Sequence, residues 1–333
     1  PLIDSYFDLK NRLEGHRFDN IAAGLQNWCT GVTAAWVKHW LKETGKRGVC
    51  FSGGLSMNIK TNGELALLDE LDWLSVPASG GDESLSAGAC FVMADTESRI
   101  PVEHVYLGET PDTPRSEWFS KLGDSSLTAD DFGLVENLDV SMAAKLLADD
   151  IIIARCVGPS EFGARALGNR SILANPANGD NLQKINTAIK HRDFWMPFTP
   201  SILAEHTNEY LENDKNITSP YMTIGYQTQV ARQDEIVAAL HPSDKSARPQ
   251  FVDRNTNPEY WALIDAFRNI TGIPALLNTS LNLHGEPMNY AIEDAIHTLA
   301  ESDLEFLLIP GNQMIYKRAA KDRMDDALRK FNG

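Results

Sequence analysis

Apolar residues recur at helical spacing near the start of the chain, where Ile21, Leu25, Trp28, Val32, Ala35, Trp36, His39 and Trp40 fall three or four positions apart. Asp19 stands where a helix cap belongs and Gly45 where a helix ends. The pattern predicts a long amphipathic helix whose stripe belongs to the core. The short apolar run Gly48 to Phe51 predicts a buried strand that empties into Ser52-Gly53-Gly54-Leu55-Ser56-Met57-Asn58. A glycine turn at Gly80 and Gly81 then leads into a helix of small residues, Ser84 to Ala89, suited to close packing.

From Arg99 to Phe132 the pattern turns polar and carries Pro101, Pro111 and Pro114, which reads as a linker. It divides the chain into domains at 1–110 and 111–333. A helix capped at Asp139 or Ser141 runs through Ala143, Leu146 and Leu147, and Ile151 to Val157 is a buried strand. Further on come a helix from Asp180 to Ile189 and a proline-pinned extended segment, Met196 to Leu203. A mobile stretch around Asn213 to Pro220 and a helix from Pro258 to Asn269 follow. The next strand begins after Gly272 and opens into Asn278, Thr279, Ser280 and Asn282. Alternating helices and apolar strands give a mixed α/β fold.

The chemistry gathers where strands end. Glu161 to Ser171 holds Arg165, Gly168, Asn169 and Arg170 directly after a buried strand. Two guanidinium forks so placed can grip one phosphate or carboxylate, because their planar donors match such oxygens in pairs. Surface arginines in ordinary ion pairs are the alternative. Lys190 and Arg192 add two cations and Arg248 a third. Gly53 and Gly54 allow close approach to a phosphate with Asn58 in reach, or simply make a tight turn. Asp82 and Glu83 begin a helix, where a carboxylate serves as a cap or as a metal ligand with partners elsewhere. The eight histidines include no pair at i, i+2 or i, i+4.

Composition narrows the classes. A chain of 333 residues, 43% hydrophobic and 23% charged, has the makeup of a globular protein. Its net charge of −16 and pI near 4.9 argue against nucleic acid and anionic membrane as general partners. Any anionic ligand must therefore meet a local basic cluster. No apolar run approaches the roughly 18 residues of a membrane span, and a cytoplasmic location is expected. Cys29, Cys50, Cys90 and Cys156 form no C-x-x-C pair and read as buried free thiols. The chain begins at Pro1, which fits either initiator removal or a longer parent.

Taken together, Ser52 to Asn58, Gly81 to Ala89, Glu161 to Ser171, Lys190 to Pro200 and Leu277 to Asn282 resemble the ATP-dependent O-carbamoyltransferases that modify antibiotics and nodulation factors. The resemblance implies a first domain of the actin-like ATPase superfamily, related to tRNA threonylcarbamoyl-transfer enzymes, and a second like threonylcarbamoyl-adenylate synthase. It implies that carbamoyl phosphate and ATP give carbamoyl-adenylate and pyrophosphate, with transfer of the carbamoyl group to the hydroxyl of a small molecule. By similarity, Arg165, Lys190, Arg192, Arg248, Asn278 and Ser280 bind carbamoyl phosphate and the ATP phosphates, and Asn169 and Arg170 complete the pocket. Gly53, Gly54 and Asn58 match a nucleotide-contacting turn, and Asp82 a ligand of a divalent metal, iron or magnesium.

The chain departs from the family at Pro159, where an arginine is usual, and at Ala164, where proline is usual. By the resemblance it also lacks the earlier half of the first domain with its metal-binding histidines, so either the sequence is a piece of a longer protein or a separate half-domain is an expected partner, with a second copy of the chain, as a homo-oligomer, another. A regulatory subunit that binds nucleotide without turnover is the alternative reading. A tRNA-modifying transferase is a third, opposed by the acidic composition.

Overall fold

The computed structural model describes residues 5–332 apart from 96, 98–100, 124 and 191–195. Ten strands among these residues form two sheets. The smaller contains β1 (Gly48–Cys50) and β2 (Trp73–Ser75), paired in parallel through the crossover helix α3 (Ile59–Ala66). The larger has eight strands in the order β3-β10-β9-β4-β5-β8-β6-β7. These are β3 (Phe132–Val135), β4 (Ile153–Cys156), β5 (Arg170–Ala174), β6 (Thr199–Leu203), β7 (Gln250–Val252), β8 (Ala275–Ser280), β9 (Phe306–Ile309) and β10 (Gln313–Lys317). Only β4 with β9 and β6 with β7 run parallel, so the sheet is mixed.

Strand alternation sorts the side chains. Ile153, Leu173, Leu276 and Leu308 face one side, where α5 (Val140–Ala148), α8 (Pro258–Thr271) and α10 (Lys321–Asn332) cover them. Ala154, Ile172, Leu277 and Leu307 face the other, under α9 (Ile292–Ala300) and the Ile185–Lys190 turn that extends α6 (Asp180–Lys184). Two short helices, α1 (Tyr6–Leu13) and α7 (Thr207–Tyr210), complete the set; α1 buries no side chain, whereas α7 buries Thr207 and Tyr210. Local chemistry explains the helix ends. The Asp139 side chain accepts from Ser141 N–H at 2.8 Å, Asn257 caps α8 ahead of Pro258, and Gly272 closes α8 in the left-handed region.

The first part of the chain is bound to the second by more than apolar contact. The Asn62 amide donates to the carbonyls of Ser56 (2.6 Å) and Thr223 (2.7 Å), and Gly225 N–H reaches Ile59 O at 3.2 Å. The stretch 213–220, read as mobile from the sequence, packs against this first part. Ile217 is buried, and Lys215 Nζ donates to Ala66 O at 3.0 Å and Leu68 O at 2.5 Å.

Three other expectations are corrected. Helix α2 (Phe18–Thr44) ends at Gly45 as read, but Arg17 occupies the cap position and Asp19 pairs with Arg17 at 2.7 Å. Its tryptophan stripe faces outward rather than into the core. Helix α4 (Ser84–Met93) forms, yet none of its side chains is buried, so its small residues do not pack against a neighbour. Of the cysteines only Cys156 is buried; Cys29 is half-buried, and Cys50 and Cys90 are exposed.

Burial pushes the Cys156 thiol up to about 11. The reactive thiolate is therefore scarce at that position near pH 8. Reaction of the native protein with an aromatic disulfide reagent at pH 8 is expected to label Cys50 and Cys90 quickly and Cys156 only after unfolding. Rapid labelling of Cys156 in the native state would contradict the fold.

Candidate anion and acyl-transfer site

Strands β4 and β5 are antiparallel neighbours, with Arg155 opposite Ser171 and Cys156 opposite Arg170. The arginine turn is thus the hairpin loop 157–169 between them, longer than a hairpin needs and of the kind that carries function. Glu161 holds it in shape. Its buried Oε1 accepts from the backbone N–H groups of Leu167 (2.7 Å), Asn169 (2.8 Å) and Arg170 (3.3 Å). The carboxylate therefore organises the backbone, bonding to amides rather than to Arg165. Two glycines permit the close packing. At Gly168 (φ 115°) a Cβ would lie 2.3 Å from the Tyr260 ring, and at Gly163 (φ 115°) one would lie 3.0 Å from Ala78 O.

The neighbouring arginines have opposite fates. Arg170 is wholly buried, and its guanidinium is taken up by carbonyls: Nε to Tyr290 O (2.9 Å), NH1 to Gly158 O (2.9 Å) and Asn169 O (2.9 Å), NH2 to Glu109 O (3.4 Å). Asn169 is also a brace, donating to Pro159 O (2.7 Å) and accepting from Arg155 (2.8 Å) and Asn257 (2.9 Å). Arg165 instead sits half-buried with its Nε unpartnered, and loss of hydration alone pulls its guanidinium below the ordinary value. Among the described residues it has no carboxylate partner.

Arg165 is not isolated from the other candidates. The next residue, Ala166, offers its carbonyl to Asn278 Nδ2 (3.2 Å), whose amide also reaches Ser201 Oγ (3.0 Å) and Gln250 Oε1 (3.4 Å). Asn278 Oδ1 is buried and unpartnered. On β6, Thr199 lies directly opposite Asn278, and Thr199 Oγ1 accepts from Arg248 NH2 at 2.8 Å and Nε at 3.2 Å. Two residues along β8, on the same face, is Ser280. The buried Lys190 Nζ donates to the Ser280 carbonyl, to Asn282 O (2.9 Å) and to Asn282 Oδ1 (2.5 Å). The fold thus gathers Asn278, Arg248, Ser280 and Lys190 around the ends of β6 and β8, with the backbone of the Arg165 turn against Asn278. Arg192 lies outside the described residues.

The first part of the chain contributes a second cluster. The turns after β1 and β2 both leave the carboxyl ends of a parallel pair, the usual crevice for ligands in such sheets. They touch: a Cβ on Gly80 would lie 2.1 Å from Ser56 Oγ and 2.8 Å from Gly53 O. Gly53 has φ of 98°, and a Cβ added to it or to Gly54 would meet no atom within 4 Å, so this turn faces open space. Asn58 serves chiefly as the cap of α3, accepting from Thr61 N–H (3.1 Å) and exchanging two bonds with Gln26 (3.0 and 3.2 Å). Asp82 is exposed, and among the described residues no three His, Cys, Asp or Glu side chains gather to hold a metal. The Asp82 position alone does not fit a metal site. The contact between Gly163 and Ala78 brings this cluster against the arginine turn.

Sequence reading gave no individual role to Arg155, Thr199, Ser201, Gln250 or Asn282. Arg155 did leave a signal, a cation inside the apolar run Ile151 to Val157. It is fully buried, held by Gly168 O (2.8 Å), Asn169 Oδ1 (2.8 Å) and Glu259 (3.5 Å) beneath Tyr260. The others signal nothing alone, because their roles depend on strand register. Beside Arg155 lies a cleft of about 530 Å³ whose walls include Tyr106, Asn257 and Gly311. Burial pushes the Tyr106 phenol up to about 12, so it remains a donor, here to Leu167 O at 2.9 Å.

Comparison with known proteins gives the family. The family model described as "Carbamoyltransferase C-terminus" matches residues 144–317. Nodulation protein NolO of Bradyrhizobium diazoefficiens is 34% identical over 310 residues, covering 90% of this chain and 55% of NolO. Nodulation protein NolNO of Sinorhizobium fredii is 33% identical over 309 residues, covering 90% and 44%. An uncharacterized protein of Methanocaldococcus jannaschii is 35% identical over 271 residues, covering 81% and 51%. The chain spans about half the length of these relatives.

Proposed function

The chain belongs to the carbamoyltransferase C-terminal family, and from that premise we propose that the second part of the chain activates carbamoyl phosphate with ATP. The net step consumes one water and releases inorganic phosphate and pyrophosphate, leaving the carbamoyl oxygen bonded to the α-phosphorus of AMP. A hydroxyl oxygen of a small-molecule acceptor then bonds to the carbamoyl carbon, its proton is lost, and AMP leaves.

The observation that carries this reading is Arg165, a half-buried guanidinium without a counter-charge among the described residues, on the turn whose Ala166 carbonyl meets Asn278, a side chain with an unpartnered buried Oδ1. Carbamoyl phosphate satisfies both, offering phosphate oxygens to the arginine and an amide N–H to the asparagine. Lys190 bonds to Ser280 at the end of β8 and Arg248 to Thr199 at the start of β6, where cations stabilise charge that moves from the carbamoyl oxygen to a departing phosphate. Arg192 joins them on the strength of the resemblance. Asn169 and Arg170 act from behind, fixing the loop.

The turn at Gly53 and Gly54 is proposed to meet nucleotide or acyl-adenylate, with the actin-like arrangement as its frame. Its contact with the arginine turn through Ala78 and Gly163 supports a short passage for the activated group. Asp82 is then one donor of a divalent metal whose remaining ligands come from elsewhere. The −16 charge supports a small acceptor rather than tRNA.

The test is exchange of labelled pyrophosphate into ATP. The chain alone is expected to catalyse exchange that depends on carbamoyl phosphate, while failing to carbamoylate an acceptor. Nucleotide binding without any exchange would favour the regulatory alternative.

A further inference from the structure

Strands β6 and β7 are buried throughout, yet they carry Ser201 and Gln250. Register sets Ser201 directly opposite both Gln250 and Leu276, and Asn278 follows Leu276 by two residues, so the three polar side chains share one face of the sheet. All three are buried. Groups of this kind are unfavourable in such a place unless their donors and acceptors are matched.

Their hydrogen bonds run in one direction. Gln250 Nε2 donates to Leu167 O at 2.8 Å, a backbone carbonyl that can only accept, so Gln250 Oε1 must face the other way. That oxygen takes the proton of Ser201 Oγ at 2.7 Å, and the lone pair left on the hydroxyl accepts from Asn278 Nδ2 at 3.0 Å. The same Nδ2 donates to Ala166 O at 3.2 Å, a second acceptor-only group. Reversing the Asn278 amide would set its oxygen against a carbonyl oxygen. Oδ1 is therefore held on the opposite edge, where it is buried and meets no donor among the described residues. A network that served the fold alone would close on itself, whereas this one ends in an open acceptor, at a cost to the free protein. Both fixing carbonyls belong to Ala166 and Leu167, the two residues after Arg165, so the turn that presents the guanidinium also orients the amide.

We propose that Ser201 and Gln250 are positioning residues that lock the Asn278 amide with its oxygen free for the ligand, and that this oxygen selects an acyl phosphate ending in an amino group over the isosteric one ending in a methyl group. The inference rests on the placement of carbamoyl phosphate at Arg165 and Asn278 given above. The phosphate ends of the two compounds are identical, so the cations do not distinguish them. Discrimination falls to Oδ1, because a site built around a buried hydrogen bond rejects an analogue that lacks the donor.

The experiment compares two hydrolysis-resistant probes, phosphonoacetamide and acetonylphosphonate, which differ only in an amino against a methyl group. Each is titrated calorimetrically into the chain. The parent protein is expected to bind the amide at least about 100-fold more tightly than the methyl ketone. Gln250→Met and Ser201→Ala are each expected to narrow that ratio to about tenfold or less by weakening the amide probe, with the methyl ketone held to within about twofold. Dichroism checks that each variant is folded, and Ser201→Ala, which only removes an oxygen, serves if Gln250→Met does not fold. A role in stability alone would lower the melting midpoint and leave the ratio where it was. Equal affinity of the parent for the two probes, or a ratio unmoved in the folded variants, would overturn the proposal while the pyrophosphate exchange still judges the proposed activity separately. Failure of the parent to bind either probe would remove the assignment of the Arg165 site and this proposal with it.

Discussion

Glu161→Ala is expected to lower the stability of the protein by about 3 to 6 kcal/mol and its melting midpoint by roughly 5–10 °C. The reason lies in what Oε1 does. It is the acceptor for three backbone N–H groups at one bend, those of Leu167, Asn169 and Arg170. Each buried donor left without an acceptor costs roughly 1–3 kcal/mol. Alanine removes the acceptor of all three at once, while the bonds that Asn169, Arg170 and Arg155 make to the loop carbonyls leave these three N–H groups unsatisfied. Glu161→Gln keeps an acceptor oxygen at the same place, so its loss is expected to be about 1 kcal/mol. Because the loop presents Arg165, the alanine variant should also lose carbamoyl phosphate binding well below its melting temperature. Thermal denaturation by dichroism checks the first part, and a midpoint equal to that of the parent protein would remove Glu161 from its organising role.

Arg165→Ala is expected to do the reverse, leaving the fold intact and removing the ligand. Its guanidinium is dehydrated with no carboxylate beside it among the described residues, so the free protein gains nothing by holding it there. Deleting it should leave the melting midpoint unchanged or slightly raised. Carbamoyl phosphate affinity should fall about 100-fold, or about 2.7 kcal/mol, the scale of a two-point contact between a guanidinium and a phosphate. Arg165→Lys keeps the charge without the fork and should fall about tenfold. A thermal shift gives an independent reading: carbamoyl phosphate should raise the midpoint of the parent protein and not that of the alanine variant. Equal affinities by calorimetry would leave Arg165 without a part in ligand binding.

These two residues lie four positions apart in one motif, and the sequence alone could not assign their jobs. It marked the motif, since glycines, arginines and an asparagine after a buried apolar run are a local pattern. Local patterns also determined the helices α2, α5 and α8 with their closing glycines or caps and the strands β4 and β8, because periodicity and capping act over a few residues. The family resemblance was legible for the same reason: its motifs are contiguous.

What the sequence did not contain was which of two neighbouring cations is left for a ligand. Arg170 is bound by carbonyls from Gly158, Tyr290 and Glu109, up to 120 positions away, whereas the Arg165 Nε meets none. Likewise, Thr199 receives Arg248 opposite Asn278 only because β6 and β8 pair in that register. The stripe on α2 was read correctly as a helix and wrongly as core. Periodicity reports that an apolar face exists, but whether that face is covered depends on the surfaces brought against it. In this chain α3 takes the polar side through Thr61, and the tryptophans remain outside. Segment-by-segment chemistry is a property of the sequence; pairing, burial and the choice between neighbouring charges belong to the tertiary structure, because they depend on contacts between residues far apart in the chain.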